Sequence, residues 1–164
     1  MLDVGGGVGA IGLELLKAGA ARVLTVELSG AYDETAAELA RQAGAEGRIE
    51  RRVADFAQQA DQLPRAEVVD MHRVVCCYPD YNSLLAAATG RAERLLVVSF
   101  PRSTWWTRGG SKLVNLILRQ RGCDFRSYIH PPDALFAAVE RHGFRLEYEH
   151  EGALWCVAGF ERST

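Results

Sequence analysis

The chain has 164 residues, 48% of them apolar, and a formal charge of -2. A chain of this length buries about two-thirds of the surface its unfolded form exposes, enough for one compact domain over 1–164. The near-neutral balance supplies no global basic field for a polyanion, so nucleic acid is not an expected partner, although a local patch remains compatible with it. No run reaches the roughly 18 to 20 uncharged apolar residues that span a bilayer, and no basic segment with an apolar signal core opens the chain. The four cysteines, Cys76, Cys77, Cys123 and Cys156, form no C-x-x-C pair, so no structural metal site is expected and a reducing, cytoplasmic setting is the simple reading.

Leu2 to Val4 is the remnant of a first strand, followed by a helix from about Gly9 to Ala18 with Ile11, Leu15 and Leu16 at helical spacing. Arg22 to Leu28 reads as the second strand and Ala31 to Ala43 as the second helix. Arg48 to Val53 is a third strand whose pattern Arg51 and Arg52 interrupt. Glu67 to His72 is the fourth, Asn82 to Thr89 a helix, and Arg94 to Phe100 a fifth strand whose near-continuous apolar run needs cover on both faces. Pro131 and Pro132 open a helix over Asp133 to His142 that Gly143 ends. Phe144 to His150 and Leu154 to Phe160, joined by Glu151-Gly152-Ala153, read as a hairpin. The pattern predicts an α/β fold: a Rossmann-like, doubly wound, mostly parallel sheet with a C-terminal antiparallel hairpin and a truncated first strand.

Asp3-Val4-Gly5-Gly6-Gly7-Val8-Gly9 joins strand to helix by a glycine turn, which directs backbone N-H groups and a positive helix end at a ligand. Two readings overlap. Gly5-x-Gly7-x-Gly9 led by Asp3 fits a loop for S-adenosylmethionine (SAM), while Gly7-Val8-Gly9-Ala10-Ile11-Gly12 fits the dinucleotide pattern G-x-G-x-x-G. Glu27, about 20 residues on, can accept hydrogen bonds from both ribose hydroxyls in either case.

The chain resembles the class I SAM-dependent methyltransferases at several points in order: Asp3 to Gly9, Glu27, Asp55-Phe56, the fourth and fifth strands and the closing hairpin of a seven-stranded sheet. The resemblance implies SAM as cofactor, held by Asp3, Gly5, Gly7, Gly9 and Glu27, with Asp55 on the adenine amine and Phe56 over the ring. An N-cap role for Asp55 and a core role for Phe56 are the competing readings. The HRVVCCYPD and SFPRSTWW stretches resemble a small-molecule branch related to the magnesium-protoporphyrin methyltransferases, which implies an apolar or aromatic acceptor.

Beyond the fourth strand, His72 is the candidate general base, since an imidazole can take a proton near neutral pH; a structural histidine is the alternative. Tyr78 is a candidate substrate contact. Cys76 and Cys77 lack the spacing of a catalytic site and fit as small apolar residues. Neither the Asn-Pro-Pro-Tyr motif of DNA amino-methyltransferases nor the Pro-Cys of cytosine-5 enzymes follows this strand. Residues 101–129 exceed an ordinary connection and are expected to form a lid-like insertion, with Trp105 and Trp106 offering flat faces to substrate.

Methyl transfer from SAM to an oxygen, nitrogen or carbon nucleophile is the expected activity. An NAD(P)-dependent oxidoreductase is the alternative, although no Tyr-x-x-x-Lys pair occurs. The loop lies four residues from Met1, so an N-terminal segment is expected to be missing. In many members of the family that segment covers the cofactor, which leaves an inactive SAM-binding module as a third reading.

Overall fold

The computed structural model describes residues 1–163. Seven strands form one sheet: β1 (Leu2–Val4), β2 (Val23–Glu27), β3 (Ile49–Val53), β4 (Ala66–Met71), β5 (Ala92–Pro101), β6 (Phe144–Glu151) and β7 (Trp155–Arg162). Their order is β3-β2-β1-β4-β5-β7-β6; the first five run parallel, and β7 enters antiparallel between β5 and β6. Six helices accompany them: α1 (Ala10–Lys17), α2 (Asp33–Gln42), α3 (Phe56–Gln59), α4 (Tyr81–Arg91), α5 (Trp105–Gln120) and α6 (Pro132–Glu140). The expected mixed sheet with its terminal hairpin is present, with the ends of the expected elements displaced by at most two residues.

The period-2 alternation of the central strands sorts side chains onto two covered faces. Leu2, Val4, Leu24, Val26, Val69, Met71, Leu96 and Val98 point to the main core, which Leu84, Leu85 and Ala88 of α4 and Leu135, Ala138 and Val139 of α6 complete. Val23 points the other way, against Leu16 of α1 and Ala45. Short β1 survives as a strand because it lies in the middle of the sheet, wholly buried, with a neighbour on either side.

Two elements depart from the reading of the sequence. Asp55 accepts the backbone N-H groups of Ala57 and Gln58, and that cap alone starts α3, a four-residue helix. Within 101–129 lies a 16-residue helix, α5, opened by a reciprocal cap between Thr104 and Thr107.

Candidate functional site

A cleft of about 370 Å³ opens at the carboxyl ends of β1, β2 and β4, with Gly5, Gly7, Glu27, Asp55, Phe56 and Tyr78 among its walls. In an open parallel sheet this end is where the strand order reverses and ligands lie. The loop from β1 to α1 shapes the floor. Gly5, Gly7 and Gly9 all have positive φ, at 65°, 54° and 83°, which L-residues adopt only at a cost. A Cβ on Gly5 would stand 2.5 Å from Val74 Cγ2, whereas nothing lies within 4 Å of one on Gly7 or Gly9. The loop thus packs tightly behind and stays bare in front.

Glu27 is fixed at the end of β2 by two backbone donors: Gly7 N-H to Oε2 at 2.9 Å and Ser29 N-H to Oε1 at 3.2 Å. Arg51 closes the arrangement from β3. Its guanidinium donates to Gly7 O at 2.9 Å and to Asp33 Oδ1 at 3.1 and 3.2 Å, tying the loop to the start of α2. The arginine that blurred the β3 pattern is therefore a clamp on the glycine loop. No motif announces it, because its partners are 18 and 44 residues away.

Asp3 lies beneath the loop, not on the cleft wall. It is 0% exposed, and neither carboxylate oxygen has a hydrogen-bond partner. The parallel register places Asp70 beside it on β4, 8% exposed, with Oδ2 also unpartnered. Burial, reinforced by the charge of Asp3, pushes the Asp70 carboxyl up to about 7. Burial likewise pushes Asp3 up to about 6, against the opposing pull of Arg51. Sequence reasoning missed Asp70; the available signal was a lone acid in the apolar run Val68-Val69-Asp70-Met71.

Asp55 and Phe56 both line the cleft, Phe56 while also belonging to the core. Besides capping α3, the Asp55 carboxylate accepts Tyr78 OH at 3.3 Å. Burial, and after it the Asp55 charge, raises the Tyr78 hydroxyl above its ordinary value. Cys77 adds a thiol to the wall, 3.7 Å from the buried Cys76 Sγ. The hydrogen bond from Cys76 lowers Cys77 to about 7. Leu28, Tyr32, Val74 and Phe125 supply apolar wall that the sequence did not single out.

His72 is solvent-exposed and stands outside the walls of the cleft, its Nδ1 3.2 Å from Ser99 Oγ, which also accepts the Arg73 N-H. Partial desolvation, then the charge of Arg73, holds the imidazole below its ordinary value. Arg73, on the wall, has φ 60° and sets its guanidinium 4.5 Å from the Trp155 ring centre. Left-handed backbone at a non-glycine residue stores strain of about 1–2 kcal/mol. Trp105 and Trp106 do not line the cleft; both are exposed on α5.

The strand order excludes the plain dinucleotide-binding sheet, whose six strands run 3-2-1-4-5-6 without a strand between the fifth and sixth. This chain has the seven-stranded fold of the SAM-dependent methyltransferases. No family model and no curated protein matches the sequence. Among solved structures, it is similar to magnesium protoporphyrin IX methyltransferase from Synechocystis PCC 6803 with bound SAH, with 21% identity, TM-score 0.81, and 99% of this chain and 73% of that one covered. An O-methyltransferase family 2 protein from Planctomyces limnophilus in complex with apigenin matches at 20% identity and TM-score 0.77, over 98% of this chain and half of the other. The [4+2]-cyclase SpnF matches at 12% identity and TM-score 0.76, over 99% of this chain and 74% of that one.

Proposed function

We propose that this chain binds SAM in the cleft above the glycine loop and transfers its methyl group to an oxygen, nitrogen or carbon nucleophile of a small apolar or aromatic molecule. One observation carries the reading: both oxygens of Glu27 are pinned at the end of β2 by backbone amides, leaving a fixed acceptor for a pair of vicinal hydroxyls beside a bare glycine floor.

The residues present fit the cofactor. Gly7 and Gly9 leave room for the amino-acid portion, Glu27 meets the ribose, Asp55 the adenine amine, and Phe56 with Leu28 covers the ring. Asp3, whose carboxylate oxygens have no partner, and Asp70, whose Oδ2 has none, put negative potential under the loop, where a positively charged group gains most. SAM supplies a methyl group already activated on a sulfonium, so the protein has mainly to align donor and acceptor and exclude water. His72, one residue from the cleft wall, takes the acceptor's proton; its depressed basicity keeps the ring neutral and receptive near pH 7. Tyr78 contacts the acceptor from the wall, and 101–129 covers one side of the cleft through Phe125. The whole acts as one domain in a reducing, cytoplasmic setting, consistent with four unpaired cysteines.

The test separates binding from turnover, since a [4+2]-cyclase shares the fold. Titration calorimetry with SAM, SAH and NADH is expected to give binding of the first two only, and Glu27→Gln to weaken SAM at least about tenfold. NADH binding without SAM binding overturns the proposal. SAM binding with no methyl transfer to a panel of flavonoids, phenazines and tetrapyrroles reduces the chain to a binding module.

A further inference from the structure

Helix α5 is mounted with its apolar side outward. Its polar side faces the protein: Ser111 Oγ and Asn115 Nδ2 both donate to Ser127 O at 2.8 Å, and Ser127 N-H donates back to Asn115 Oδ1 at 2.8 Å. None of its residues is buried, and Trp105, Leu113 and Leu116 are 86%, 59% and 53% exposed. On a helix of about 3.6 residues per turn these three fall on one strip, joined by Trp106 and Ile117. Arg108, Lys112 and Arg119 follow at four- and seven-residue steps and form a cationic row along one border of that strip.

Charge is segregated to match. Residues 101–126 hold six cations against one acid, Asp124, and the rest of the chain holds thirteen cations against twenty acids. An anionic plane therefore attracts the α5 side and repels the remainder, which fixes one orientation. A second copy of the chain would bring two like-charged faces together, and a polynucleotide would leave the apolar strip in water. No described helix is long and apolar enough to cross a bilayer, so the helix suits lying in the surface and not spanning it.

We infer that α5 seats the protein on an anionic phospholipid surface, with Trp105, Leu113 and Leu116 in the acyl boundary and Arg108, Lys112 and Arg119 on the lipid phosphates. Phe125, half exposed beyond the end of α5, also lines the cleft, so the cleft mouth adjoins the docked face. An apolar acceptor then enters from the membrane without crossing water. The membrane contact itself is independent of methyl transfer.

The whole chain is sedimented with vesicles of phosphatidylcholine alone and with about 30% phosphatidylserine, at about 0.1 M salt. Binding at least about tenfold stronger on the anionic vesicles, lost at high salt and accompanied by a blue shift of tryptophan emission, is expected. Arg108→Gln/Lys112→Gln/Arg119→Gln should lower the partition coefficient on the order of a hundredfold, from about 1 kcal/mol per cation. Leu113→Ser/Leu116→Ser should abolish the blue shift. All five side chains are exposed, so far-UV dichroism and melting temperature serve as fold controls. Equal binding to both vesicles, no binding, or binding that survives both sets of substitutions overturns the inference. So does a dimer that Leu113→Ser/Leu116→Ser dissolves, or oligonucleotide capture without vesicle binding. SAM affinity on the same samples reports separately on the cofactor reading.

Discussion

Replacing Asp70 by asparagine should stabilise this protein, and more so as pH rises. The buried Asp70 carboxyl ionises only near pH 7, against 3.8 in the unfolded chain. Because the folded state holds the proton more tightly, the group takes no stability away below about pH 4 and progressively more between about 4 and 7. At about 1.4 kcal/mol per pH unit, the loss above pH 8 approaches about 4 kcal/mol. Burying an amide in its place costs about 1–2 kcal/mol, partly recovered if its NH2 donates to the unpartnered Asp3 oxygens. The net gain for Asp70→Asn is therefore about 2–3 kcal/mol at pH 8 and close to zero at about pH 4.5. Urea unfolding followed by tryptophan fluorescence at several pH values measures it, and a chain of this size should show a rise in Tm of roughly 5–10 °C at pH 8. A difference that does not grow with pH, or a variant less stable at pH 8, would refute the account of the buried acid pair.

Gly7→Leu should fold with a loss of about 1–2 kcal/mol, because its left-handed backbone is strained but its side chain meets open space, and it should show no SAM binding by calorimetry. An unchanged SAM Kd would remove the loop from the site. His72→Ala should keep SAM affinity while turnover falls about a hundredfold, read as radiolabelled methyl transfer; a normal rate would end its role as base. Cys77 should be alkylated by iodoacetamide ahead of the other three cysteines, with a rate that levels off above about pH 8 and is slowed by SAM. Mass spectrometry of the tryptic peptide 74–91 reports it, and a rate still climbing steeply at pH 9 would contradict the lowered thiol.

The layout of the strands, and of the helices other than α3 and α5, was legible because each rests on local signals: apolar runs, the Pro131-Pro132 start, the Gly143 stop and the glycine loop. The cleft was partly legible for the same reason, since Gly7, Glu27, Asp55 and Phe56 follow their strands at short range. What stayed hidden depends on partners distant in sequence. Arg51 reads as a blemish in a strand until Gly7 and Asp33 are brought to it, and Asp70 gains its character from burial in the assembled sheet, with Asp3 beside it across β1 and β4. Helix α5 defeats the rule that apolar sides face inward, because its polar side bonds to Ser127. The tryptophans read as facing substrate are exposed on this helix and do not line the cleft.

The wedging of β7 between β5 and β6 carries a consequence for biosynthesis. As the chain leaves the ribosome, β5 emerges with its outer edge bare, and β6 follows with no strand to join until β7 has been made. An unpaired edge invites other chains, and translation at about 5–20 residues per second prolongs the exposure. The hazard passes only when residues 155–162 slot into place and satisfy two neighbours at once. A ribosome stalled a few codons short of that point would hold out a nascent chain able to recruit its neighbours on the same message.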